Sequence, residues 1–368
     1  MPRLIDIITN NLTRRNKAVP EKGVSQTGSE TRDAGGGMIS RDIDPGPKES
    51  PGQIPEPSDR LILLYNDGLA VAESVIAGVV GGADLDGASV TNLAEKVVEE
   101  FIRDTCNSLL LCSYYTSKND YLSSHLVNDV ILSVAFGVSL GFGREDISKL
   151  AVASFLHDLG MIADSGLRMV RGKLKDKEFS QIKKHPIVST EIAKKYFNDD
   201  ICRIVIEVHE RVDGKGYPYG KMDRELSPLS VLLSISDVFE SLTHPRAFRE
   251  RFSAYESLKM IISMGGRDFN NALIRDFINF TSVYPIGSLA YLNTGDICMV
   301  VARSPENNPM RPMVKIVVNN KRQVVARSTV IDLAKNQLMY LKGPIKKSEE
   351  EELVFLVQPR GFPEIFRY

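Results

Sequence analysis

A chain of 368 residues has room for two or three domains, and its 43% hydrophobic and 25% charged residues are ordinary for a folded globular protein. The formal net charge of −1 supplies no global basic field. No arginine-rich groove with interleaved aromatics appears, so a nucleic-acid duplex is disfavoured as a partner.

The four cysteines, Cys106, Cys112, Cys202 and Cys298, have no metal-ligand spacing. Residues 1–9 carry an acid and lack a long apolar core, unlike a secretory signal. Together these features point to reduced thiols and a cytoplasmic location. The longest near-apolar stretch, residues 130–143, is short for a bilayer, so no membrane span is expected.

In chain order, residues 1–57 are expected to form a disordered N-terminal segment, because from Thr13 onward they are rich in Gly, Pro, Ser and charge. Residues 58–117 read as a helical prefix. Leu61, Leu64, Leu69 and Val71 precede a glycine-marked break at Gly78, Gly81 and Gly82. Leu93, Val97, Val98, Phe101 and Ile102 then follow at helical spacing.

Residues 118–282 read as nearly all helix. Val127, Ile131, Val134 and Val138 recur at helical intervals, and Ile147, Leu150, Ser154 and His157 share one face of the next helix. Glu145 and Asp146 suit the start of that helix, where its dipole favours acids, and Gly160 is expected to end it. Further helices are expected over 176–193, 200–208, 229–242 and 254–264, with a glycine-punctuated loop over 213–218. Residues 283–368 switch to short β-like runs at 290–292, 297–301, 313–318, 323–326 and 353–357. The fold class is therefore mainly α, a helical domain followed by a small β module.

Four of the five histidines fall one per helix or loop in the helical domain: His125, His157, His185 and His209. The fifth, His244 in Thr243-His244-Pro245, is expected at the surface. Asp158 follows His157 on a core-facing helix, and Asp237 lies within another apolar helix. An unpaired buried carboxylate is expensive, and a shared cation satisfies both. Imidazole with carboxylate is a ligand set for a Lewis-acidic transition metal.

The order of these residues resembles the HD superfamily of metal-dependent phosphohydrolases. His157-Asp158, His185-Pro186, the run from His209 through Gly216-Tyr217-Pro218, the Ser236–Thr243 run and Arg246 to Arg249 resemble the successive motifs of HD-GYP domains over about residues 118 to 345. The resemblance implies hydrolysis of a cyclic dinucleotide, chiefly cyclic di-GMP and in some members cyclic GMP-AMP, with iron or manganese ions as cofactor. It implies that His125, His157, Asp158 and Asp237 hold a first ion, and that Asp158 bridges to a second held by His185 and His209. Asp158 is the implied catalytic residue. Gly214, Gly216, Tyr217 and Pro218 would shape the ligand mouth, with Arg246 and Arg249 gripping phosphates. Glu210 and Asp213 would orient the ligands from behind.

Three positions depart from the family pattern. Val208 stands where a second adjacent histidine is usual, Met161 where a lysine is usual, and Tyr121 where some members carry a glutamate for a third ion. Two readings follow: a phosphodiesterase with one complete and one impaired metal site, or a relative that binds a cyclic dinucleotide or a signalling protein without turnover.

Overall fold

The computed structural model describes residues 59–103, 109–113, 121–164, 176–244, 251–304, 306, 308–325, 328–346, 349 and 353. By contacts the chain divides into Met1–Gln53 and Ile54–Tyr368, and all described residues belong to the second unit. The expected disordered segment lies outside them.

The central element is α4 (Tyr121–Ser139), buried continuously from Ser123 to Gly137. An all-round apolar helix must be covered on every side. Here α1 (Asp59–Gly81), α2 (Gly87–Arg103), α3 (Leu109–Ser113), α5 (Arg144–Leu156) and α10 (Pro228–Thr243) pack on it. By length and composition, α1 and α4 are apolar enough to cross a membrane. Burial of 83% of the apolar window of α4 explains its hydropathy as that of a core helix. On α2, Val90, Leu93, Ala94, Val97, Val98 and Phe101 form the stripe that faces the interior.

Two helix boundaries differ from expectation. Helix α5 stops at Leu156, with Glu145 and Asp146 in its first turn, and α6 (Leu159–Ala163) restarts after His157 and Asp158. Gly160 lies inside α6 and serves close packing, so it does not end α5. The helix expected over 176–193 is two helices, α7 (Asp176–Ile182) and α8 (His185–Ala193), separated at Lys183 and Lys184. Pro186 in the first turn of α8 has no amide to donate into a preceding turn, so the ladder breaks there. Beyond come α9 (Asp199–Glu207), capped by Asn198, then α10, α11 (Ala254–Ser263) behind a Ser253–Glu256 capping box, and α12 (Asn271–Thr281) capped by Asn270.

The chain then forms a five-stranded antiparallel sheet of β1 (Leu289–Leu292), β2 (Ile297–Ala302), β3 (Met313–Val318), β4 (Val330–Asp332) and β5 (Leu341–Pro344), in the order β4-β3-β2-β1-β5. Leu289, Ile297, Val317, Val318 and Ile345 are its core. Among the described residues, 323–325 pair with the end of β3 through an isolated bridge, Val318 to Val324, and form no strand, while the short β4 and β5 were not legible. Residues 354–357 lie outside the described residues.

One close approach positions the site. A Cβ on Gly160 would lie 2.2 Å from the His185 carbonyl oxygen, so only glycine lets α6 lie against α8. The Gly160 amide donates to Ser189 Oγ at 2.8 Å, and Ser189 donates to the His157 carbonyl at 2.6 Å. Gly160→Ala should cost about 1–3 kcal/mol in urea unfolding. Gly78→Ala, whose Cβ would meet nothing nearer than 3.9 Å within α1, should be neutral or stabilising by up to about 1 kcal/mol.

A second anchor is Glu207, the last residue of α9. Its buried carboxylate accepts from the Ser227 amide (2.8 Å), Ser230 Oγ (2.9 Å), Lys221 Nζ (2.9 Å) and Arg203 Nε (3.0 Å). Burial opposes its charge, but these donors hold its pKa below the ordinary glutamate value. The resulting stability is fully present above the unfolded-state value near 4.5 and is lost as pH falls through the lower folded value. Glu207→Gln should lower stability at pH 7 by about 1–3 kcal/mol and flatten the acid limb of a stability-versus-pH curve.

Candidate metal centre

Five pieces of chain converge on one point. Helix α4 brings His125, the break between α5 and α6 brings His157 and Asp158, α8 opens with His185, the turn after α9 carries His209, and α10 carries Asp237. Two groups of ligand-type atoms result, each with its members within 4.8 Å of one another: His125, Asp129, His157 and Asp237, and Asp158, His185 and His209. Asp158 links them. Its Oδ2 lies 3.2 Å from His125 Nε2, and its Oδ1 lies 3.2, 3.6 and 3.8 Å from Nε2 of His185, His157 and His209. Asp237 Oδ1 is 3.9 Å from Nε2 of both His125 and His157. Asp237 Oδ2 is 3.8 Å from His209 Nδ1.

Three imidazoles are oriented in the same way. His157 Nδ1 donates to the Ser154 carbonyl at 2.8 Å, and His185 Nδ1 to the Ile182 carbonyl at 2.6 Å. His125 Nδ1 donates to Glu240 Oε2 at 2.6 Å. The two carbonyls belong to the last turns of α5 and α7, where helix acceptors lack intrahelical donors. With Nδ1 protonated, Nε2 carries the lone pair and faces the carboxylates, the tautomer a metal ligand requires; it is assigned here from the partners. His157 Nε2 is fully buried without a hydrogen-bond partner, and the Nε2 atoms of His185 and His209 approach to 2.8 Å. Unpartnered nitrogen, facing imidazoles and clustered carboxylates fit a divalent cation.

The electrostatics agree. Burial works against the charge of Asp158, yet His157, His125, His185 and His209 hold its carboxyl well below the usual range. Burial likewise opposes Asp237, but His157, His209 and His125 bring it down to about 2. His157 is pulled down by burial and pushed up further by Asp158, Asp237 and Asp129, to about 9. Burial takes His209 down to about 4 and pushes Asp129 well above the carboxylate range. The pocket therefore holds fixed negative charge that draws protons or a cation.

The remaining expected residues lie around this cluster. Gly214, Gly216, Tyr217 and Pro218 form the loop after His209, and Tyr217 stacks on the His209 ring at 5.0 Å. A Cβ on Gly216 would lie 2.3 Å from the Arg211 amide nitrogen, so the turn needs glycine. Glu210 is buried and accepts from the amides of Tyr219, Gly220 and Lys221, which ties the loop's far side to its start. Asp213 accepts from the Lys215 amide. Arg246 and Arg249 lie outside the described residues. Val208 is fully buried beside His209, Met161 is half-buried on α6, and Tyr121 is half-buried at the start of α4.

His244 is a correction. It is buried, with Nε2 2.9 Å from the Ser113 carbonyl and 3.4 Å from Asn128 Nδ2. Helix α10 ends at Thr243 with His244 as its C-cap, and the polar network around Glu240 holds the ring inside. Asp129 was missed by the motif comparison. Its signal was available, a carboxylate four residues after His125 in a helix buried along most of its length.

A cavity of about 410 Å³ lies beside the cluster, lined by Gly160, Ala163, Asp164, Gln181, Lys184, His185 and Val188. A tighter one of about 60 Å³ lies behind Glu240 against Leu132, Phe239 and Phe280. The first reaches His185 and carries Lys184 and Asp164 on its wall.

The HD domain family model matches residues 92–273, and the model of a KOW domain associated with HD domain matches residues 289–353. A cyclic di-GMP phosphodiesterase of Pseudomonas aeruginosa is 25% identical over 297 residues, covering 79% of this chain and 70% of that protein. Another, from Borreliella burgdorferi, is 26% identical over 207 residues, covering 56% of this chain and 54% of that protein. A solved structure of an HDG"Y"P protein from Bdellovibrio bacteriovorus shares the fold, with TM-score 0.50 and 21% identity over 59% of this chain and 70% of that one. With the ordered motifs from His125 to Asp237 beside the family-model match, residues 92–273 of the chain belong to the HD domain family.

Proposed function

We propose that this chain is a metal-dependent phosphodiesterase that hydrolyses a cyclic dinucleotide, cyclic di-GMP foremost, in bacterial second-messenger signalling. The supporting observation is the common orientation of His125, His157 and His185, each with Nδ1–H tied and Nε2 turned to Asp158 or Asp237. The activity named for the two relatives supports the substrate class. Residues 118–282 are the metal-binding domain, 58–117 its helical support and 283–368 the β module, and the protein works in the cytoplasm.

In this reading His125, His157, Asp158 and Asp237 hold the first divalent ion, iron or manganese. Asp158, His185 and His209 would hold a second ion. Bound ions of this kind lower the pKa of a water and draw charge from phosphate oxygens. Hydrolysis adds water to one phosphorus and breaks its bond to a ribose oxygen, which leaves with a proton, so the ring becomes linear. By the motif resemblance Arg246 and Arg249 would grip the phosphates, while Lys184 would line their approach and residues 214–218 would shape the mouth. With Val208 where the resemblance expects a further imidazole, a second ion would be held the more weakly.

Asp158→Ala and removal of metal by a chelator should each lower the rate of cyclic di-GMP linearisation by roughly 100-fold or more. Turnover that survives both would sink the metal mechanism. Tight cyclic di-GMP binding to metal-loaded protein without product would favour the non-enzymatic reading, which rests on Val208 and Met161.

Val208→His should raise the metal content per chain by filling the second site, provided circular dichroism shows the fold intact. Met161→Lys alone should leave metal content unchanged, since an ammonium gains nothing near two cations without phosphate between them. The double variant should turn over faster than the two single effects combined, because the lysine acts only on a clamped substrate. Elemental analysis and rates on the four proteins read this out, and unchanged metal content in Val208→His would remove Val208 from the second site.

A further inference from the structure

We infer that Asp129 is a ligand of the first metal ion, giving that site a third carboxylate beside Asp158 and Asp237. The inference rests on the metal-centre reading above and adds a residue to it.

Asp129 follows His125 by one helical turn on α4, so both project from the same face. Its side chain is wholly buried, and neither carboxylate oxygen takes part in a hydrogen bond. Nearby polar groups are satisfied. Asn128 Oδ1 accepts from Tyr65 at 3.0 Å, and Glu240 Oε2 accepts from His125. Asp129 Oδ2 is instead 3.6 Å from His157 Nε2, the other unpartnered buried atom of the cluster, and 3.2 Å from His125 Nδ1, whose proton goes to Glu240.

A protonated Asp129 does not resolve this, because 3.6 Å is too long for a hydrogen bond to His157. One ion does. Two atoms bound to it at about 2.1 Å each lie at most about 4.2 Å apart. The separations from His157 Nε2 to Asp129 Oδ2 (3.6 Å) and to Asp237 Oδ1 (3.9 Å) both fit within that limit. A third carboxylate makes the first site harder and more negative, favouring manganese or ferrous ions over softer ones.

The test uses the full-length protein, freed of metal by chelation, as wild type, Asp129→Asn and Asp129→Val. Manganese is titrated, the absorption bands of the cobalt-loaded form are recorded, and melting temperatures are taken with and without metal. Both variants should bind the first ion about tenfold more weakly or worse. Asp129→Val should change the cobalt spectrum. Without metal Asp129→Val should melt higher than wild type, because an unpaired buried polar group is gone; metal should then raise the melting temperature of both variants less.

A structural residue would instead destabilise both forms when replaced. Unchanged manganese affinity and cobalt spectrum, or an equal loss of stability with and without metal, would overturn the assignment of Asp129 alone. Failure of the wild type to bind manganese saturably would overturn the metal-centre reading and this one with it.

Discussion

A carboxylate enclosed by imidazoles is tolerable only if its charge is shared, and Asp158 stands in that position. It occupies the two-residue break between α5 and α6, with backbone angles of −102° and 5°, outside the helical ladder that flanks it. From there its two oxygens reach in different directions, one toward His125 and one toward His185 and His209. A continuous helix would set residue 158 about 100° around the axis from His157, turned away from part of this set. The glycine contact of α6 on α8 and the Ser189 bonds then fix the break where it is needed.

The orienting groups behind the imidazoles are inexpensive ones. Helix ends leave carbonyls without intrahelical donors, and burying them unpaired would be costly. The carbonyls of Ser154 and Ile182 fix the tautomers of His157 and His185, so one contact satisfies a helix end and orients an imidazole. His125 sits mid-helix where no free carbonyl exists, and there Glu240 of α10 replaces it. That substitution draws in Asn128 and His244, which is why the polar network extends behind the cluster on this side.

Much of this was legible in the sequence because the chemistry is sparse. With five histidines in the chain, the adjacency of His157 and Asp158 and the placing of His125, His185 and His209 on separate elements stand out, and the apolar setting of Asp237 marks it as costly unless shared. Asp129 is a buried carboxylate of the same costly kind, but its position belongs to none of the motifs. Boundaries were harder. Gly160 looks like a helix stop in sequence, while its role, a backbone approach to His185, depends on a partner helix 25 residues away. His244 looked exposed because a proline follows it, and only the packing of α10 against α4 shows what holds it inside. The strands β4 and β5 are three and four residues long with polar content, too short for alternation to register.

The cluster also links stability to cation binding. Helix α4 is covered on all sides, so the charges it presents at His125 and Asp129 cannot relax toward water. The remaining choices are a proton or a metal ion. Protons neutralise the acids one at a time and leave His157 Nε2 and the Asp129 oxygens without bonds, whereas a cation satisfies several at once. Binding free energy at such a point is folding free energy as well. The helix buried at the centre of the fold is thus also the element whose polar positions tie its stability to a bound cation.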